Sequence, residues 1–223
     1  MSAEAVHAGQ AVYSGLVLRL LYDGVVLGVS NPLIWKCPTA RLLAHYDANV
    51  SANHLDVGVG TGWFLDHCRF PSPQSSFKGP RLALMDLNPN CLEHAAGRVA
   101  RHAPETHRRN VLEPIPFDGP RFDSVGLCYL LHCLPGAMAE KAVVFDHLRP
   151  LMNDGAVLFG ATLVQGSAPR SAMARRLMAA YNRKGIFCNQ DDTVEALDAG
   201  LAARFAAHAV ELVGCAALFR ATV

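Results

Sequence analysis

Leu55, Val57 and Val59 put apolar side chains at every second position, the period of a strand with a buried face. Trp63-Phe64-Leu65 then breaks the alternation and reads as the start of a helix over about 62–69. The same change of period recurs along the chain. Arg81-Leu82-Ala83-Leu84-Met85-Asp86 reads as a second buried strand, and Asn88-Pro89 as the cap and first residue of a helix running to about His102. A short third strand is expected ahead of Asn110, and a fourth within 121–128. A helix over 137–148 and a turn at Asn153-Asp154-Gly155 lead into a fifth strand over 156–163. Met173, Leu177, Met178 and Tyr181 keep helical spacing, so 171–181 is expected as a helix. Asp192 or Thr193 caps another to about Phe205. Two apolar segments, 210–213 and 216–219, flank Gly214-Cys215 as a tight hairpin.

The front of the chain is mixed. Leu16, Leu18, Leu20 and Leu21 are more helical than stranded over 13–29, Ser30-Asn31-Pro32 reads as punctuation, and Thr39 as the N-cap of a helix to about Tyr46. One or two helices lying across a cleft are expected here. Trp35, Tyr22 and Tyr46 are candidates to line a substrate pocket, with core packing as the equal alternative. Strand, helix and strand between 54 and 86 make a βαβ unit, so the expected class is α/β.

Composition narrows the field. The chain has 223 residues, enough for one domain with a sizeable core; 51% are hydrophobic and 17% charged. A net charge of +1 gives no field for nucleic acid or an anionic membrane. Seven cysteines, an odd number without a C-x-x-C pair, point to reduced thiols rather than zinc or disulfides, and no metal is expected. The run 15–29 is broken by Arg19, Asp23 and two glycines, too interrupted to span a bilayer, and no signal peptide is read. A cytoplasmic protein is expected. Monomer and homodimer both stay open.

Candidate chemistry starts where the first strand ends. Gly58, Gly60 and Gly62 form G-x-G-x-G with Asp56 two residues ahead, and Trp63 stands where a dinucleotide loop needs its third glycine. Glycines before a helix N-terminus let a ligand approach the main chain. Asp86, 30 positions after Asp56, ends the second strand, where a carboxylate can accept hydrogen bonds from both ribose hydroxyls. That supports a nucleoside ligand, against the alternative of a capping carboxylate. The basic group Arg98, Arg101, His102, His107, Arg108 and Arg109 reads as a solvated face before a binding patch.

The ordered set from about residue 50 onward resembles the class I S-adenosylmethionine-dependent methyltransferases. It rests on Asp56-Val57-Gly58-Val59-Gly60-Thr61-Gly62, Met85-Asp86-Leu87-Asn88-Pro89-Asn90, Asn110-Val111-Leu112-Glu113-Pro114, Leu148-Arg149-Pro150-Leu151 with Gly155, and the terminal hairpin. The pieces Tyr22-Asp23, Ser30-Asn31, Trp35-Lys36-Cys37-Pro38, Leu131-His132-Cys133-Leu134-Pro135-Gly136 and Tyr181-Asn182 look like a small-molecule subgroup associated with secondary metabolism. The resemblance implies a Rossmann-like, seven-stranded, mostly parallel sheet with an antiparallel last strand. An N-terminal helical cap would occupy 1–49, the cofactor-binding core 50–223, and a lid-like insertion 165–190, against a plain surface excursion.

It also implies S-adenosylmethionine as donor and a small organic molecule as acceptor at oxygen, nitrogen or carbon. Asp56, Gly58, Gly60, Gly62, Asp86, Leu87, Asn110, Val111, Leu127 and Cys128 would meet the cofactor, with Leu87 beside the adenine. Asn110 stands where the family usually has Asp, and its amide oxygen can accept the same hydrogen bond; a polar loop residue is the alternative. Tyr129, Tyr181 and Asn189 join Tyr22 and Trp35 as candidate acceptor contacts. His132 is the candidate base, against a role in buttressing its loop. A non-catalytic protein that binds the donor or its product, S-adenosylhomocysteine, is the competing function.

Overall fold

The computed structural model describes residues 18–71 and 79–223, with residues 18–25 described by their backbone alone. Seven strands form one sheet among these residues: β1 Asn53–Val57, β2 Arg81–Asp86, β3 Glu105–Arg108, β4 Phe122–Cys128, β5 Met152–Leu163, β6 Ala207–Val213 and β7 Ala216–Thr222. Their order is β3-β2-β1-β4-β5-β7-β6. The first five of that order pair in parallel. β7 runs antiparallel to both β5 and β6, so it alone is reversed. The order changes direction between β1 and β4, and in an open α/β sheet that switch opens a crevice beyond the carboxyl ends of the strands.

Period-two alternation places the core. In β2, Leu82 and Leu84 pack with Tyr46, Leu65 and Ala95 on one face, while Ala83 and Met85 join Leu55, Val125 and Phe145 on the other. The first face is covered by α2 Thr39–Asp47, α3 Trp63–His67 and α4 Pro89–Arg98; the second by α5 Met138–Lys141, α6 Val143–Leu148 and α8 Val194–Ala202. A third cluster joins Trp35 and Leu42 to Leu163, Leu218 and Met178 of α7 Ala172–Arg183. It fastens the front of the chain to the terminal hairpin.

Several elements differ from expectation. The first helix, α1 Leu18–Ile34, has the wide π form and runs through Ser30-Asn31-Pro32 instead of stopping there. Thr39 does not cap α2; Pro38 holds that position. Its hydroxyl donates instead to the Leu27 carbonyl at 2.5 Å and accepts from Asn31 Nδ2 at 3.0 Å, so a tertiary tie to α1 outweighs the local cap. The helix expected over 137–148 breaks at Ala142 into α5 and α6. α4 stops at Arg98 and gives way to a tight turn over 100–102. Asn153-Asp154-Gly155 is a bulge inside β5 and no turn: the strand starts at Met152, opposite Phe122, and its register against β4 shifts before Val157.

Thr193 caps α8, its hydroxyl accepting from the Ala196 amide at 3.1 Å. Asp192 is used otherwise. Its carboxylate and the Lys141 ammonium are fully buried, 2.6 Å apart, and the same ammonium donates to the Cys188 carbonyl at 2.5 Å. The pair ties α5 to the segment after α7. Removing one partner leaves a buried charge uncompensated, so Asp192→Ala is expected to lower the unfolding free energy by about 3–5 kcal/mol in denaturant titration. A loss below about 1 kcal/mol would show that the site relaxes around the lone lysine.

Candidate active site

The C-terminal end of β1 opens onto a cleft. Gly58, Gly60 and Gly62 have φ of +71°, +52° and +71°, a left-handed run that L side chains resist. The three have different neighbours. A Cβ on Gly62 would lie 3.1 Å from the Ala95 backbone on α4, and one on Gly58 would lie 2.7 Å from the Leu130 side chain. A Cβ on Gly60 would meet nothing within 4 Å. Gly58 and Gly62 therefore serve close packing, and Gly60 keeps main chain bare toward open space.

Asp86 faces this loop from the end of β2. Its Oδ1 accepts the Asn88 amide at 2.8 Å, and the amides of Leu87, Gly60 and Val59 also point at the carboxylate. Burial nevertheless holds its pKa above the usual carboxylate value, because desolvation outweighs those amides. Leu87, Val111, Leu112, Leu130, Leu134 and Pro135 are the apolar lining of the cleft. Arg109 and Asn110 stand at the rim, where Asn110 is turned into its own loop: its Oδ1 accepts from Leu112 N and its Nδ2 donates to Glu113 Oε1.

Tyr129, at the end of β4, lines the same cleft and carries a left-handed φ of +62°. Its hydroxyl donates to Asn31 Oδ1 at 3.0 Å, joining α1 to the cleft. Behind it, His132 is 3% exposed and edge-on to Phe187, with ring centroids 4.6 Å apart. The Leu163 amide donates to His132 Nδ1 at 3.3 Å, so the proton of the neutral ring sits on Nε2. Burial, then the Lys141 cation, push the imidazole down to about 3.

The other expected residues spread around the cleft. Gly58, Gly60, Asp86, Leu87, Asn110, Val111 and Tyr129 line it. Gly62 packs on α4, Leu127 lies in the core, and Cys128 packs against the α2–α4 face. Asp56 is 6% exposed behind the glycine loop, where it accepts the Tyr46 hydroxyl at 2.6 Å. Tyr46 itself is fully buried. Trp35 is 2% exposed, with its ring against Phe187. Asn189 is a lock: its Nδ2 donates to the Leu163 carbonyl at 3.0 Å and its Oδ1 accepts from Asn182 Nδ2 at 2.8 Å. Tyr181 is half-buried against Phe187. The side chain of Tyr22 lies outside the described residues.

Comparison with known proteins decides the family. A family model for a methyltransferase domain matches residues 55–158. The demethylluteothin O-methyltransferase of Streptomyces thioluteus is 40% identical over 213 residues, covering 96% of this chain and 90% of that one. The physcion biosynthesis cluster O-methyltransferase of Aspergillus chevalieri is 35% identical over 215 residues, covering 96% and 94%. The chain belongs to the S-adenosylmethionine-dependent methyltransferases. The fold agrees: a solved complex of DhpI with SAH superposes with a TM-score of 0.69 at 14% identity, over 100% of this chain and 98% of that one.

This methyltransferase thus takes its methyl group from S-adenosylmethionine and passes it to a small organic molecule. The cleft suits such a donor, with bare main chain at Gly60, a carboxylate at Asp86 and a largely apolar lining. Leu130, Cys133 and Leu134 also line it and escaped the sequence reading. They follow a strand end with no periodicity, so only the fold of 129–135 turns them inward. With its pKa near 3, His132 is expected to stay neutral from pH 5 to 8. Ring-proton NMR, assigned against His132→Asn, reads this directly; a midpoint near 6.5 would mean a solvated imidazole free to act as a base.

Proposed function

We propose that this methyltransferase methylates oxygen, on a hydroxyl acidic enough to reach the site ionised, such as a phenol or an enol of a small metabolite. One observation carries the reading. The imidazole expected as the base, His132, is buried and spends its Nδ1 lone pair on the Leu163 amide. Among the described residues lining the cleft, the thiol of Cys133 is pushed up to about 12 by burial, and the Asp86 carboxylate is engaged with backbone amides. A nucleophile that is already an anion needs no base. The O-methyltransferase names of the two relatives support oxygen as the acceptor atom.

When bound, the donor supplies an electrophilic sulfonium methyl with a good leaving group. The chain's own part is alignment and exclusion of water. Asp86 would accept the ribose hydroxyls, Leu87 and Val111 would flank the adenine, and Asn110 would reach its edge after leaving its own loop. Tyr129, pinned to Asn31, would fix the acceptor side, and the Trp35, Tyr181 and Phe187 rings would back it. His132 Nε2–H is a donor, suited to a phenolate or enolate oxygen. The segment 165–190 carries Phe187 and Asn189 and is read as the cover of that side. A net charge of +1 supports an acceptor other than nucleic acid. No described helix is long and apolar enough to cross a membrane, and a cytoplasmic enzyme fits that.

Two measurements test this reading. Across a series of phenols of graded acidity, kcat/KM is expected to follow each acceptor's own ionisation, with the same profile in His132→Asn. One enzyme-set midpoint shared by all acceptors would restore a protein base. Asp86→Ala is expected to weaken S-adenosylmethionine binding in isothermal titration by at least about tenfold, from the hydrogen bonds to a charged group that it removes. Wild-type affinity would take the ribose away from Asp86.

A further inference from the structure

A chain of buried polar groups runs under the glycine loop, and the transfer step uses none of it. Tyr46 on α2 donates its hydroxyl to Asp56 Oδ2 at 2.6 Å. Its oxygen also meets His54 Nε2 at 2.8 Å, and since the phenolic proton is spent on Asp56, that nitrogen must be the donor. His54 Nδ1 then faces Ser124 Oγ at 2.8 Å, and Ser124 Oγ in turn accepts the Ser51 amide at 2.8 Å. Tyr46 and His54 are fully buried, and the Tyr46 ring is packed by Phe64 and Phe159 at 5.8 and 5.0 Å. Every donor in this chain is aimed so that Asp56 ends it as an acceptor.

Burying an acceptor-only carboxylate is costly unless a cation balances it. The charged group felt by Asp56 is a like one, Asp86. No lysine or arginine shifts Asp56 among the described residues, the strongest influences on Asp86 are burial and backbone amides, and Arg109 at the cleft rim has its guanidinium on the Arg108 carbonyl. Val57 and Gly58, the next residues after Asp56, line the cleft itself. Asp56 is therefore a buried carboxylate with a like charge near it and no cation to balance it. S-adenosylmethionine carries one more positive charge than S-adenosylhomocysteine, the product that must leave.

We propose that Tyr46 is a positioning residue for the donor: by holding Asp56 as the anion beneath the glycine loop, it makes the cleft prefer the cationic donor over its uncharged-sulfur product. This rests on the cleft being the donor site. Titratable groups reach Asp56 from each packed element: Tyr46 on α2, His54 on its own strand, Asp86 from β2, Cys68 after α3 and Cys128 at the end of β4. Burial keeps His54 neutral, down to about 3, and holds both thiols protonated. Asp56 is pushed up to about 7, so its anion forms as pH rises through neutrality. The preference for S-adenosylmethionine must then rise with pH, and loss of the Tyr46 donor must move that rise upward.

The test is isothermal titration of S-adenosylmethionine and S-adenosylhomocysteine between pH 6 and 9, with wild type, Tyr46→Phe, Asp56→Asn and the double variant. Phenylalanine keeps the ring packing, and retained S-adenosylhomocysteine binding reports an intact fold. In Tyr46→Phe the affinity ratio of donor to product is expected to fall about fivefold at pH 7 and to recover by pH 9, a hydrogen bond to a charged group having been removed. On the Asp56→Asn background the tyrosine change is expected to leave the ratio unaltered. The same ratio and pH profile in wild type and Tyr46→Phe would overturn the proposal while leaving the donor site standing. Failure of wild type to bind either molecule would overturn the donor site with it.

Discussion

Main chain reaches the cleft only because three residues after β1 hold positive φ, and the rest of the site is built against that turn. A side chain at Gly58 would strike Leu130, and one at Gly62 would strike α4, so the loop after β4 and the helix after β2 both close on glycine. What stays open is Gly60. The bare main chain there and the carboxylate of Asp86 sit where the strand order reverses, which is where an open parallel sheet leaves room for a ligand. The strained tyrosine at the end of β4 belongs to the same economy of space. A left-handed φ at Tyr129 costs on the order of 1–3 kcal/mol, and the hydrogen bond to Asn31 helps hold it.

Charge is arranged as carefully as shape. Behind the loop, Asp56 is buried with hydrogen-bond donors but no cation; beyond His132, Asp192 is buried with one, Lys141. The two carboxylates therefore do different work. Lys141 and Asp192 pair and fasten α5 to the segment after α7, while their cation helps keep His132 neutral. Asp86 lines the cleft, and Asp56 lies behind it with Asp86 as the like charge it feels.

The sheet was legible residue by residue because its signals are local. Asp86 closes a strand whose alternation is read directly, Asn88-Pro89 starts a helix by cap chemistry, and Gly214-Cys215 sits between two apolar runs that pair as β6 and β7. The errors share one cause, which is that a distant partner decided the outcome. Thr39 reads as a cap until Leu27 is known to lie beside it, and Asn153-Asp154-Gly155 reads as a turn until Phe122 fixes the register of β5. The same holds for the site. Tyr46 and Asn189 have the chemistry of pocket residues, and only packing shows that their polar atoms are engaged inside the protein. The tautomer of His132 is set by an amide 31 positions away in sequence, at Leu163.

The decisive measurement is a crystal structure with S-adenosylhomocysteine at near-neutral pH. The adenine is expected between Leu87 and Val111, the ribose hydroxyls on the Asp86 carboxylate, and the amino-acid end over Gly58 and Gly60 above Asp56. Density for the molecule on another edge of the sheet, or in this cleft with the ribose turned away from Asp86, would contradict this placement.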